Sequence, residues 1–207
     1  MSLHILDHPL AGHALTLLRE KSTPPAQFRL LCHHVSLLLA LEATRDLPAK
    51  DNPVETPLER FTGTALAQPL VVVPILRAGL GMVEPIVDLF PDVSVGYIGL
   101  ERDHDTALAR SYYCKLPPLK NVRVLLVDPM LATGGSAVKA LDAIAERGAD
   151  ENEICLLNIV ASPEGVAVVG KAHPRVRIFT AALDRELNAR KYILPGLGDF
   201  GDRLYGT

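Results

Sequence analysis

From residue 70 onward the apolar positions fall into short runs rich in β-branched residues: Leu70 to Leu76, Val93 to Leu100, Val122 to Val127, Ile154 to Ala161 and Val176 to Ala182. Runs of this length and composition read as strands buried on both faces. Between them the spacing turns helical. Ala137, Ala140, Leu141, Ile144 and Ala145 recur at intervals of three and four, and Gly148 is placed to end that helix. Arg77-Ala78-Gly79-Leu80-Gly81 turns into a helix through about residue 89, and another spans Pro163 to Ala172. Strands alternating with helices predict an α/β fold, a parallel doubly wound sheet of about five strands, with ligands at the carboxyl ends of strands. Upstream, Phe28, Leu31, Val35, Leu38, Leu39 and Glu42 mark a long amphipathic helix over residues 26–45, with core or subunit contacts. Residues 46–68 carry Pro48, Pro53 and Pro57 and read as a loop or an extended arm reaching across a neighbour.

Composition narrows the class. A chain of 207 residues with 48% hydrophobic and 22% charged content suits a single globular domain, 1–207. A net charge of −3 and the lack of a basic run argue against nucleic acid as the partner. No apolar run reaches membrane-spanning length, and the first residues show neither a basic leader nor an apolar segment, so a cytoplasmic protein is expected. Cys32, Cys114 and Cys155 are odd in number with no CxxC, as for reduced thiols. His4, His8 and His13 have spacings that could share a helix face. Pro9 and Gly12 are expected to interrupt that set, and surface or partly buried histidines are favoured over a metal site.

The candidate chemistry begins at Asp128-Pro129-Met130-Leu131-Ala132-Thr133-Gly134-Gly135-Ser136, directly after the apolar run Val124 to Val127. Two glycines let backbone approach a phosphate, Thr133 and Ser136 add hydroxyls, and the following helix offers unpaired N–H groups. Asp128 ahead of such a cradle can accept hydrogen bonds from sugar hydroxyls. The loop by itself suits a plain strand-to-helix turn equally well. Arg77, at the end of another predicted parallel strand, favours the ribose-phosphate reading. Glu101 to Lys120 is long and polar and reads as a flap able to bring cations over a polyphosphate. Gly196, Gly198 and Gly201 formally match a dinucleotide fingerprint, but only six residues follow and no βαβ unit can form. Residues 191–207 instead suit a glycine-rich tail wrapped round a small ligand, and Tyr192-Ile193-Leu194-Pro195 implies that the tail is packed.

Together these motifs resemble the uracil phosphoribosyltransferases, within the type I phosphoribosyltransferase fold. Asp128 to Ser136 is similar to that family's ribose-phosphate loop and Val73 to Gly81 to its pyrophosphate loop. Tyr192 to Asp199, continuing into Gly201-Asp202-Arg203, is similar to its uracil-binding tail. His8-Pro9-Leu10 and Ala161-Ser162-Pro163-Glu164-Gly165 also fit. The resemblance implies transfer of phosphoribose from 5-phospho-α-D-ribose 1-diphosphate to uracil, giving UMP and diphosphate, with Mg²⁺. It implies that Ala132 to Ser136 hold the 5′-phosphate and that Asp128 holds the ribose hydroxyls, with Pro129, Met130 and Leu131 in the same binding loop. Arg77 and Arg102 would bind diphosphate, Asp199 would approach diphosphate and metal, and uracil would be read by backbone at Ile193, Gly198, Asp199 and Phe200. No residue is assigned as a metal ligand set or as a general base. A homodimer or higher homo-oligomer is implied, and activation by GTP in some members. The chain departs from the family at Phe200, where alanine is typical, and at Glu101 and Ala107 to Ser111 in the flap. The Phe200 side chain is expected to point away from the base pocket.

Overall fold

The computed structural model describes residues 2–102 and 109–207. The chain opens with β1 (Ser2–Ile5), α1 (Pro9–Arg19) and α2 (Pro25–Ala43). An antiparallel hairpin follows, β2 (Ala49–Glu55) and β3 (Arg60–Leu66). Next come β4 (Leu70–Leu76), a 3₁₀ turn (Ala78–Met82), α3 (Val83–Leu89), β5 (Ser94–Val95), β6 (Tyr97–Arg102) and β7 (Ala109–Lys115). The second half holds β8 (Arg123–Val127), β9 (Met130–Leu131), α4 (Gly135–Glu146), β10 (Ile154–Ala161), α5 (Pro163–Ala172) and β11 (Arg177–Leu183). The tail forms β12 (Glu186–Leu187), β13 (Ile193–Leu194) and α6 (Phe200–Tyr205).

The main sheet runs β1-β11-β10-β8-β4-β6-β7, parallel throughout except for β7. Every residue of β8 is buried, as its apolar run predicts. Alternate side chains go to opposite layers. Leu125 and Val127 pack with α1 and α2, while Val124 and Leu126 pack with α4 and α5. The sheet is doubly wound, with a hydrophobic layer on each face.

The expected count of about five strands is too low. All five predicted strands are present, the second divided at Gly96 into β5 and β6, but the sheet also takes in β1, β7 and β9. These lack a strand signature because β1 is a short, mostly exposed edge, β7 is polar, and β9 is two residues inside the candidate loop. Pro9 and Gly12 do not interrupt α1 either. Pro9 occupies the first turn, where a missing N–H leaves nothing unpaired, and the His8 ring accepts from Leu10 N–H at 3.1 Å. The predicted flap is a β6–β7 hairpin paired as far as Arg102 and Ala109, and its segment 103–108 lies outside the described residues. The predicted arm is the β2–β3 hairpin, with Leu58 95% exposed at its turn.

The amino ends of the strands are closed by charge. Arg123, almost fully buried, pairs with Asp46 and Glu153 at 2.9 Å each, and Arg177 reaches Asp46 at 2.7 Å. The candidate chemistry lies at the other end.

Candidate active site

β8 ends at Val127, and the chain passes through Asp128 into a loop that β9 pins alongside β10, Met130 opposite Val160 and Leu131 opposite Ala161. Gly134 takes φ +80°, a left-handed conformation that favours glycine, and α4 begins at the next residue. No side chain caps α4, which leaves first-turn N–H groups available to an anion. A cavity of about 60 Å³ there is lined by Asp128, Thr133, Gly134 and Ser136 among others.

The loop is held from α5. The buried Ser162 hydroxyl donates to the Ala132 carbonyl at 2.6 Å and accepts from Gly165 N–H at 2.9 Å, capping α5 as it does so. A Cβ on Gly165 would lie 2.4 Å from the Ala132 oxygen, so only glycine lets α5 approach this closely. Asp128 donates its N–H to the Leu157 carbonyl at 3.2 Å, and its carbonyl accepts from the Asn158 side-chain amide at 2.5 Å. The Asp128 residue is half-buried, and burial pushes its carboxyl up from 3.8 to about 7, opposed only by a hydrogen bond from Met130 N–H.

Arg77 follows β4 and is exposed, after a cis Leu76–Arg77 peptide. Its carbonyl accepts from the Tyr205 hydroxyl at 3.3 Å. Two residues on, a Cβ at Gly79 would lie 2.5 Å from the Val127 carbonyl, which places the Arg77 loop directly on the end of β8.

The tail supplies a second cavity of about 360 Å³, bordered by Ala78, Tyr192, Ile193, Gly198, Asp199 and Phe200. It adjoins the first, since Met130 and Ala132 line both. β12 and β13 form its hairpin, Glu186 opposite Leu194 and Leu187 opposite Ile193. Gly196 and Gly198 have φ of +62° and +75°. The Phe200 ring is buried in the core, edge-on to Phe28 at 5.1 Å, so this side chain points away from the cavity, which Arg190, Lys191 and Tyr192 also border. Asp199 caps α6, accepting from Asp202 N–H at 3.0 Å, and is otherwise exposed.

The fold thus gathers Asp128, Met130 to Gly134, Ser136, Ile193 and Gly198 to Phe200 around two joined cavities. Pro129 and Gly135 line neither, and Arg77 stands just outside, next to Ala78 of the larger one. Arg102 ends β6, and its side chain lies outside the described residues. Sequence reasoning included Ser162 and Gly165 in a stretch that fits the family but gave them no role, and it passed over Asn158. The serine-to-glycine interval of an N-cap at residues 162–165 and the single polar residue inside β10 were the available signals. Among the described residues no cluster of three or more His, Cys, Asp or Glu is arranged to hold a metal.

Comparison with known proteins agrees with this geometry. Residues 5–207 match the family described as uracil phosphoribosyltransferase. The uracil phosphoribosyltransferase of Thermosipho africanus is 51% identical over the whole of both chains. That of Symbiobacterium thermophilum is 52% identical over 98% of this chain and 97% of its own. Among solved structures, the AQ2163 protein from Aquifex aeolicus superposes with a TM-score of 0.94 at 34% identity, over 99% of this chain and 98% of that one. A hypoxanthine-guanine phosphoribosyltransferase from Bacillus anthracis shares the fold at a TM-score of 0.52 and 11% identity, over 77% of this chain and 80% of its own. Matched by the family over residues 5–207 and by relatives about half identical along their full length, the chain belongs to the uracil phosphoribosyltransferases.

Proposed function

We infer that the protein transfers the phosphoribosyl group of 5-phospho-α-D-ribose 1-diphosphate to uracil, releasing UMP and diphosphate, a pyrimidine salvage reaction. The observation that carries this reading is the sharing of Met130 and Ala132 by the two cavities, which supports a small planar base binding beside the ribose phosphate. The loop from Ala132 to Ser136 takes the 5′-phosphate on its N–H groups and hydroxyls. Asp128 accepts from the ribose hydroxyls. Uracil alternates carbonyls with an imide N–H, a pattern that backbone at Ile193 and Gly198 to Phe200 can match. As the anomeric C–O bond breaks, negative charge grows on the departing diphosphate. Arg77 stabilises it there, and Arg102 joins from the flap on the grounds of sequence alone.

The residues fit Mg²⁺ in a particular way. With one half-buried and one exposed carboxylate at the cavities, Asp128 and Asp199, the described residues offer no protein cage. It suits an ion held largely by substrate phosphates and water, with these carboxylates beside it. Bound Mg²⁺ would neutralise diphosphate charge.

A homodimer or larger assembly accounts for two exposed apolar features. All seven residues of β2 are exposed, and Leu58 and Phe61 of the hairpin are 95% and 59% exposed. A two-stranded hairpin is marginal alone and gains from a second surface. Leu30 and Leu41 leave the outer side of α2 similarly apolar.

The deciding experiment measures diphosphate release with Mg²⁺ from uracil, cytosine, hypoxanthine and orotate, with and without GTP. Turnover confined to uracil is expected, from a species sedimenting as a dimer or larger. No uracil turnover would overturn the assignment.

A further inference from the structure

Two arginines that line neither cavity meet at the turn just ahead of the base pocket. Arg19, the last residue of α1, forms a two-point ion pair with the buried Asp184, Nη2 to Oδ1 at 2.6 Å and Nη1 to Oδ2 at 2.9 Å. The same Nη1 donates to the Gly196 carbonyl at 2.9 Å, while Gly196 N–H donates to Asp184 Oδ2 at 2.9 Å. Both main-chain polar groups of Gly196 are therefore held by one ion pair. From the opposite side Arg203 of α6 donates to the Leu197 carbonyl at 2.9 Å, to the Leu18 carbonyl, and to the Glu20 carbonyl at 2.6 Å. Its guanidinium lies over the Phe28 ring at 4.5 Å. The carbonyls at the end of α1, which have no partner within the helix, are where a cation is favoured.

Neither arginine nor Asp184 borders either cavity. What they hold are residues 196 and 197, next to Gly198 at the pocket. A Cβ at Gly196 would lie 2.1 Å from the Ile193 carbonyl, so the tight turn admits only glycine there and keeps residue 196 close to Ile193 of the pocket. A base read by main-chain groups has no side-chain rotamers to accommodate an error in backbone position, and a misplacement of ~1 Å can cost about a hundredfold.

We propose that the Arg19–Asp184 pair, with Arg203 opposite, is a positioning device for uracil recognition, with α1 as a splint that sets the base-reading backbone. This rests on the reading of the tail as the uracil site. It predicts separate control of the two substrates, because the hydrogen bond and close contact that hold the ribose-phosphate loop come from Ser162 and Gly165 of α5 and its cap.

The test is steady-state kinetics on the full chain with Mg²⁺, for Arg19→Ala, Arg19→Lys, Asp184→Asn and Gly198→Ala, with melting temperatures alongside. Arg19→Ala and Asp184→Asn should raise the uracil KM about tenfold or more and leave the phosphoribosyl diphosphate KM within about twofold. Arg19→Lys, which keeps a cation, should recover part of the loss. Should Arg19→Ala fail to fold, Arg19→Lys and Asp184→Asn carry the same comparison, and an equal rise in both KM values would overturn the proposal. A raised uracil KM in Gly198→Ala with unchanged values in the Arg19 and Asp184 variants would leave the tail as the base site and sink the positioning device alone. An unchanged uracil KM in Gly198→Ala would sink the tail reading and the device with it.

Discussion

The ribose-phosphate loop and the base-binding tail border one continuous site, yet they are built differently. The loop lies between its own strand and its own helix, and its supports, Asn158 and Ser162, come from the next strand and helix some thirty positions on. The tail is held across the whole chain: Arg19 to Asp184 spans 165 positions and Arg203 to Leu18 spans 185. Phosphate binding needs only glycines, hydroxyls and a helix start, which neighbouring sequence can supply. Reading a base with backbone requires that backbone to be fixed from outside, because residues 195–199, between β13 and α6, belong to no strand or helix. On the proposed assignment the difference separates the two tasks of the enzyme, a locally encoded anchor for ribose phosphate and a tertiary construction for the base.

Breaking the tail should give the largest effect. Phe200→Ala removes a ring buried against Phe28 and should cost about 3–5 kcal/mol of stability. Chemical denaturation measures this, and in the surviving folded fraction uracil KM should rise more than that for phosphoribosyl diphosphate. A loss below about 1 kcal/mol would mean the ring is not an anchor.

Asp128→Asn sharpens the other side. It should weaken phosphoribosyl diphosphate binding by about tenfold while uracil recognition stays normal. It should also remove a pH dependence. In the folded chain this carboxyl titrates at about 7, well above its ordinary 3.8, so the folded state holds a proton the unfolded state has lost. Its contribution to stability therefore falls as pH rises from about 4 to about 7, and the cost is complete above that. The ionised form accepts sugar hydroxyls more strongly, so kcat/KM for phosphoribosyl diphosphate should climb through pH 7 in the unmodified protein and lie flatter in the variant. Identical profiles in the two proteins would contradict the ribose role.

The smallest effect is expected at Ser162→Ala, which removes a helix cap and the hold on Ala132, at about 1 kcal/mol. Its kinetic cost should fall on phosphoribosyl diphosphate and not on uracil. A selective rise in uracil KM would erase the proposed division between loop and tail.

Much of the fold could be read in advance. The apolar runs 70–76, 122–127, 154–161 and 176–182 announce buried strands because a strand covered on both faces has no polar alternation. The spacing from Ala137 to Ala145, ended by Gly148 at φ +88°, announces α4 as plainly. β1 and β7 were not legible, since an exposed edge or a polar partner strand draws its stability from pairing and leaves no apolar pattern. Pro9 misled because proline breaks a helix interior but suits its first turn.

At the site the division is the same. Sequence by itself determined where the Asp128-to-Ser136 turn, the Arg77 loop and the glycine-rich tail fall, because turns depend on residues adjacent in the chain. Only tertiary structure decided that Gly79 sits on the end of β8, that Phe200 buries its ring against Phe28, and that Asp184 and Arg19 close on Gly196. Those contacts join residues with no neighbourhood in sequence. They follow from how the helices pack on the sheet, which no local pattern records.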